Sequence, residues 1–206
     1  MFITFEGLDG AGKSTQIQRL RIRLEQARYS VVWTREPGGT PLGDQVRNLL
    51  LNPLGGPVSA KAEALLYAAS RAQLVEQVIQ PALSRGSIVL CDRFVDASIA
   101  YQGAGLGLGT TEVEELNRWV AGGIVPRLTL LFDLPVQVSR QRVRQSRGDA
   151  ALDRIEQRDI AYFERVRLEF LKLAERHPQR IHVVDATRDV EVLEQEIWRL
   201  IENWLP

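Results

Sequence analysis

A single cysteine, Cys91, leaves the chain without an intrachain disulfide. Two histidines, His177 and His182, are too few for an ordinary zinc site. Charge of one sign is not in excess: 26 Lys+Arg balance 26 Asp+Glu, so no overall basic field exists to hold nucleic acid or an anionic membrane surface. Long apolar runs are missing as well, with nothing near the ~18 residues that a membrane span needs. The stretch before Glu6 has neither a basic lead nor a long apolar run, so no signal peptide is expected. These absences predict a soluble, cytoplasmic protein with no nucleic acid and no membrane among its partners. The 206 residues suit one compact domain, 1–206, with a sizeable core.

What the chain does have is alternation. Short apolar runs recur at 2–5 (FITF), 31–34 (VVWT), 87–91 (SIVLC), 128–133 (LTLLFD) and 180–184 (RIHVV), each of strand length and rich in β-branched or aromatic residues. Helical periods lie between them. Ile17, Leu20, Leu24 and Ala27 share one face, and Leu65, Ala69 and Ala72 mark another within 59–84. Further helices are expected over 111–122, 136–146, 155–177 and 189–204, and GAGLGLGTT at 103–111 reads as a loop. The pattern predicts an α/β fold: a doubly wound parallel β-sheet flanked by helices.

The first turn of that pattern carries chemistry. Gly7-x-x-x-x-Gly12-Lys13-Ser14 follows a strand and opens a helix, the setting in which this spacing cradles phosphate. Backbone N–H groups of Gly7, Leu8, Asp9, Gly10, Ala11, Gly12, Lys13, Ser14 and Thr15 would face the phosphates. Lys13 would reach the terminal ones, and Ser14 would ligate Mg²⁺. ATP is the expected nucleotide, as co-substrate with Mg²⁺. Asp9 is the odd residue, since a carboxylate beside polyphosphate is repelled unless it faces a donor. Spacing alone leaves it open between a local turn cap and a contact to a second ligand.

Three classes of phosphate-loop protein compete. A switch GTPase would need an N-K-x-D motif, and the asparagines stand instead in NLL, NPL, NRW and NWL. A motor or transporter ATPase would usually bring a larger chain and an LSGGQ-like element, which is absent. A small-molecule kinase needs an acceptor pocket, arginines for its charge and a water-excluding lid, and candidates for all three are present. TREPGGT at 34–40 and CDRFVDASIAYQG at 91–103 lie at strand ends, where α/β ligand crevices form. LLYAASR at 65–71 sets Tyr67 and Arg71 four apart on one helical face, an aromatic plane beside a guanidinium fork. Singly these are weak: Tyr67 alone is more often a half-buried helix aromatic than a base platform, Arg35 could be a surface cation and Tyr101 could be core. Arg93 is the strongest, because an Asp-Arg pair ending an apolar strand is hard to explain by packing.

GLDGAGKST, TREPGGT, LLYAASR, CDRFVDASIAYQG and ALDRIEQR occur in that order along nearly the whole chain. In these segments the sequence resembles the thymidylate kinases, which transfer phosphate from ATP to dTMP to give dTDP. The resemblance implies a phosphate-loop NTPase fold and a role for each matching residue. Arg35 and Arg93 would hold the dTMP phosphate, with Arg93 next to the transferring group. Tyr67 would stack on thymine, usually a phenylalanine's task, and Arg71 would hydrogen-bond the base carbonyl. Tyr101 would pack against the deoxyribose, Ser98 and Gln102 would line the same pocket, and Asp92 would act on the Mg²⁺ shell through water. Asp9 would accept from the dTMP 3′-hydroxyl. A homodimer is also implied, with the apolar helices around 59–84 and 95–122 as candidate faces.

Arginines crowd SRQRVRQSRGDAALDR at 139–154. A charge run is commonly a solvated helix end. Gly10 and Ala11, however, give the phosphate loop no cation, and charge developing on the transferring phosphoryl must be met. A short lid over roughly 142–155 would supply it and expel water. Arg147 and Arg154 are the expected phosphate contacts, and Arg144 would stack on adenine. DATRD at 185–189 is the expected rest of the adenine pocket, with contacts from Asp185 to Arg188. The rival readings are a kinase of another nucleoside monophosphate, a nucleoside kinase, and an ATP-binding regulatory module without turnover.

Overall fold

The computed structural model describes residues 1–148, 152–202 and 204–205. Five parallel strands form one sheet in the order β2-β3-β1-β4-β5: β1 Phe2–Gly7, β2 Val31–Arg35, β3 Ile88–Asp92, β4 Leu128–Asp133 and β5 Ile181–Asp185. Every apolar run read as a strand is one. Side chains alternate across each strand, and both faces are covered, which is why the runs are continuously apolar. Ile3, Phe5, Leu90, Leu130 and Phe132 face one way and pack on Ile17, Leu20 and Leu24 of α1 (Lys13–Gln26) and on Leu193, Ile197 and Ile201 of α9 (Val190–Glu202). Phe2, Val89 and Cys91 face the other way, toward α3 (Ala60–Leu74) and α4 (Gln80–Ser84). Leu131 of β4 joins Val166, Phe170 and Leu173 of α8 (Ile160–Arg176) on that side.

The register decides the function. Phe5 pairs with Asp92, Arg35 with Asp92, Gly7 with Phe132 and Asp133 with Asp185, so all five strands deliver their carboxyl ends to one edge. The chain leaves β1 toward β2 and leaves β4 toward β5, in opposite directions. That divergence opens the crevice in which α/β folds hold ligands.

Several sequence readings shift. The face of α3 marked by Leu65, Ala69 and Ala72 is exposed; the buried positions include Glu63, Ala64, Ala68, Arg71 and Leu74. The inward face carries the polar groups of a pocket, so its apolar period is interrupted and the outward one looks more regular. Ala27 likewise lies exposed at the C-cap of α1. The span 60–84 is helical throughout, with Ser59 as its N-cap, but Val75–Ile79 widens to a π turn just before Pro81, which has no N–H to give. Helix α2, Pro41–Leu51, went unread although it announces itself: Thr40 accepts from Gly43 N at 3.0 Å, with Pro41 opening the helix. The expected loop at 103–111 is helical at its start, where a π turn Ile99–Gly105 continues α5 (Val95–Ser98); α6 then runs Thr110–Val120. The helix expected from 155 begins at Ile160, capped by Asp159, whose carboxylate accepts from Tyr162 N at 2.7 Å. Helix α7 is Val136–Arg147 and takes up the first half of the expected lid, whose residues 149–151 lie outside the described ones. Among the described residues no helix is long and apolar enough to cross a membrane.

Leu24 is fully buried against the sheet, whereas Ile22 on the same helix is 47% exposed. Leu24→Ala should therefore cost about 2–5 kcal/mol and Ile22→Ala within about 0.5 kcal/mol, measured by urea denaturation; similar costs would contradict the packing of α1.

Candidate active site

At the carboxyl end of β1 the chain turns sharply. Gly7 sits at φ 125°, and a Cβ there would come within 2.4 Å of the Phe132 carbonyl oxygen. Leu8 and Ala11 bury their side chains in the core, so these loop positions offer only backbone to a ligand. Gly10, at φ 76°, lets the loop pass close to α7, since a Cβ there would lie 3.0 Å from Ser139 O and Arg142 Cβ; Ser139 Oγ donates to Asp9 O at 2.7 Å. Helix α1 starts at Lys13, so its first-turn N–H groups and exposed Ser14 and Thr15 face the crevice. The Lys13 ammonium folds back on the loop, donating to Gly7 O at 3.1 Å and Leu8 O at 2.9 Å. Burial, and then Arg93, push its pKa down.

Asp9 does not cap the loop. Its Oδ1 accepts from Arg93 Nη2 at 2.8 Å, while Arg93 Nη1 donates to Gly7 O at 2.9 Å. Burial works against the carboxylate, but Arg93 and then Lys13 hold its pKa at about 2. Arg93 also lies over the Tyr101 ring, 4.8 Å from its centroid. Asp92, one residue earlier, has Oδ2 3.4 Å from Ser14 Oγ and a buried Oδ1 without a partner. Hard oxygens at the mouth of a phosphate loop suit Mg²⁺. No cluster of three His, Cys, Asp or Glu occurs among the described residues, so the remaining ligands would have to be phosphate oxygens and water.

Beside the loop lies a cavity whose walls include Asp9, Tyr67, Arg71, Arg93, Ser98, Tyr101 and Gln102. The structure thus brings together all the residues read as acceptor contacts except Arg35, which is exposed at the end of β2 and off the cavity wall. Arg47 takes a place there instead. It stands on unread helix α2 and donates to Pro37 O at 3.1 Å. Burial, then the neighbouring charge of Arg35, push its pKa down.

Arg71 is deeply engaged. Nε donates to Glu36 Oε2 at 2.8 Å and Nη1 to Ser98 Oγ at 3.0 Å; further bonds run to Asn117 Oδ1, Glu36 Oε2 and Phe94 O. All five guanidinium protons are used. Glu36 is itself buried, with Oε1 unpartnered; burial pushes its pKa up against the pull of Arg71. Buried Glu63 accepts from Gln102 Nε2 at 3.1 Å and pairs with Arg158, which leaves the Gln102 carbonyl oxygen free of that bond. Burial raises the pKa of both Tyr67 and Tyr101, and the Tyr101 hydroxyl has no partner.

The two arginines expected to contact phosphate bond elsewhere. Arg147 pairs with Glu156 at 2.8 Å and Asp153 at 3.4 Å on the acceptor-cavity wall. Arg154 donates to Asn52 O at 2.7 Å. Arg144 is exposed. Arg142, which the sequence reading passed over, donates to Ala186 O at 3.0 Å and Gly10 O at 3.4 Å, tying the loop after β5 to the phosphate loop. Asp185 accepts from Thr187 in a local turn, and exposed Arg188 pairs with Glu196.

Set beside known proteins, the chain matches the family model described as thymidylate kinase over residues 5–197. The chain belongs to the thymidylate kinase family. A thymidylate kinase of an Exiguobacterium species is 52% identical over 197 residues, spanning 96% of this chain and 92% of the relative. One from Deinococcus radiodurans is 50% identical over 203 residues, spanning 98% and 97%. The crystal structure of thymidylate kinase from Ehrlichia chaffeensis superposes with a TM-score of 0.79 at 34% identity, covering 98% of each chain. The resemblance seen in the motifs therefore extends across the thymidylate kinase fold.

The depressed pKa of Asp9 has a sign. Its folded value, about 2, lies below the roughly 3.9 of an unfolded carboxylate. Its contribution to stability is therefore present above about pH 4 and lost as pH falls through about 2. The stability gap between wild type and Asp9→Asn, read by chemical denaturation, should be constant from roughly pH 5 to 7 and shrink below about pH 4. A gap unchanged at the acid end would contradict the Arg93–Asp9 pair.

Proposed function

We propose that the site described above carries out the reaction that thymidylate kinase membership assigns to this chain, phosphorylation of dTMP by ATP to give dTDP. The observation that carries the residue roles is the position of Arg93, which bonds the phosphate loop at Gly7 O and the acceptor cavity at Asp9 at once. ATP lies on the loop from Gly7 to Thr15, its terminal phosphates met by Lys13. Ser14 and Asp92 would hold Mg²⁺, which when bound would neutralise phosphate charge. dTMP enters the cavity with its phosphate toward Arg93 and Arg47, and Arg35 lies behind them as a more distant positive charge. Asp9 exchanges part of its bond to Arg93 for the 3′-hydroxyl of the sugar.

The base pocket favours a particular hydrogen-bonding edge. Gln102, held by Glu63 through its amide nitrogen, offers a carbonyl oxygen that suits the N3–H of thymine or uracil; cytosine has an acceptor there. Arg71 shares a proton with the O4 carbonyl by loosening its bond to Ser98. Tyr67 stacks on the ring, and Tyr101 packs against the deoxyribose, where a 2′-hydroxyl would crowd it. The acceptor phosphate is largely ionised near neutral pH, its second pKa being about 6, so no general base is required. Catalysis is positioning and charge stabilisation by Lys13, Arg93 and the lid. Arg147, released from Glu156 and Asp153, is the lid arginine best placed to turn toward the transferring group; Arg154 anchors the lid to the end of α2.

The chain acts as a homodimer in this proposal. Leu42 and Leu49 on α2, Leu65 on α3 and Trp119 on α6 are all exposed, and α3 packs on both α2 and α6. The buried free thiol of Cys91 and the two substrates fit a cytoplasmic setting.

ADP release with ATP and Mg²⁺ should be fast on dTMP, slower on dUMP, and at background on dCMP, AMP and thymidine; dCMP matching dTMP would overturn the base pocket. Arg93→Ala and Lys13→Ala should each lower kcat by about 10²–10³ with the fold intact, and near-normal turnover would refute their roles. Leu65→Glu should shift the light-scattering mass from dimer to monomer; an unchanged mass would remove α3 from the interface.

A further inference from the structure

Arg93 stands in left-handed backbone conformation, φ 69°, which an L side chain adopts at a cost. Three consecutive residues of β1 hold it there. Phe5 O accepts from Arg93 N at 3.0 Å, Glu6 Oε1 accepts from Phe94 N at 2.7 Å, and Gly7 O accepts from Arg93 Nη1 at 2.9 Å. Two of these acceptors are main-chain carbonyls that any sequence would supply. The third is a side chain.

Glu6 is an unusual residue to find there. It is fully buried, on the face of β1 that also carries Phe2 and Thr4. Its second oxygen, Oε2, has no partner, and Glu6 is not among the residues that line the cavity. Burial, and then the charge of Asp96, push its pKa up, against the pull of Arg93 and of the Phe94 N–H. A buried carboxyl is costly unless hydrogen bonds compensate it. The N–H it holds follows the strained residue directly, and Phe94 O is clamped in turn by Arg71 Nη2 at 3.0 Å. Without Glu6, the turn at 92–94 would lose the bond that opposes its relaxation to ordinary backbone, and the guanidinium would swing from Gly7 and Asp9.

We propose that Glu6 is a positioning residue for the phosphoryl transfer, acting through the Phe94 N–H to keep Arg93 aimed between the two substrates. This rests on the reading of Arg93 given above. The test is a double-mutant cycle of Glu6→Leu and Arg93→Ala, with Glu6→Gln as the conservative control and thermal unfolding of every variant. Glu6→Leu should lower kcat by about 30-fold or more while KM for ATP stays within about threefold. Glu6→Gln keeps an acceptor oxygen and should stay within about threefold of wild type in kcat. In the Arg93→Ala background, Glu6→Leu should have no further effect on kcat, since its influence runs through Arg93. Additive losses, a Glu6→Gln variant as poor as Glu6→Leu, or a Glu6→Leu variant that turns over normally or does not fold would each overturn the inference. If Arg93→Ala alone turned over normally, the reading of Arg93 would fail first.

Discussion

The hydrogen bonds between β1 and the residues just past β3 organise the site. Parallel pairing of Phe5 with Asp92 puts the end of one strand beside the start of the phosphate loop on the other. An arginine placed one step beyond that pairing can reach both the loop's first carbonyl and the acceptor side, and Arg93 does. The cost is a left-handed residue and a buried carboxyl beneath it. Local strain of this kind persists only where the surrounding structure over-determines it, here through three bonds from consecutive β1 residues.

Charge explains the rest of the arrangement. Lys13, Arg93 and Arg47 converge on one crevice, where burial, and then repulsion by Arg93 on Lys13 and by Arg35 on Arg47, depress the pKa values of Lys13 and Arg47. Asp9 is the counterweight, and its carboxylate is correspondingly easy to keep ionised. An aspartate inside a phosphate loop is thus no anomaly: its carboxylate faces the Arg93 guanidinium. Deeper in, Glu36 and Glu63 play a different part. Each fixes a side chain of the proposed base pocket, Arg71 and Gln102, and so limits which of its atoms are left free.

Much of this was legible in the sequence because it rests on periodicity and strand ends. The five apolar runs are the five strands, and the phosphate loop and Asp92–Arg93 lie where a strand's carboxyl end must place them. The inward face of α3 was misread for a physical reason: its buried positions carry Glu63 and Arg71, paired inside, so the apolar stripe of Leu65, Ala69 and Ala72 is the one that faces out. Arg47 was missed with its helix, although Thr40-Pro41 is a strong helix start. Glu6 could not have been found, since its partner is a backbone N–H 88 positions away. Nor does a list of arginines reveal that Arg147 and Arg154 bind Glu156 and Asn52.

The most direct measurement is a crystal structure with dTMP and a non-hydrolysable ATP analogue bound together. Arg93 should keep its left-handed backbone and its bond to Gly7 O while its other guanidinium nitrogen turns from Asp9 to phosphate oxygens between the two nucleotides, with Asp9 on the 3′-hydroxyl. An Arg93 still paired with Asp9 and touching neither phosphate would contradict the placement of Arg93 at the centre of the transfer.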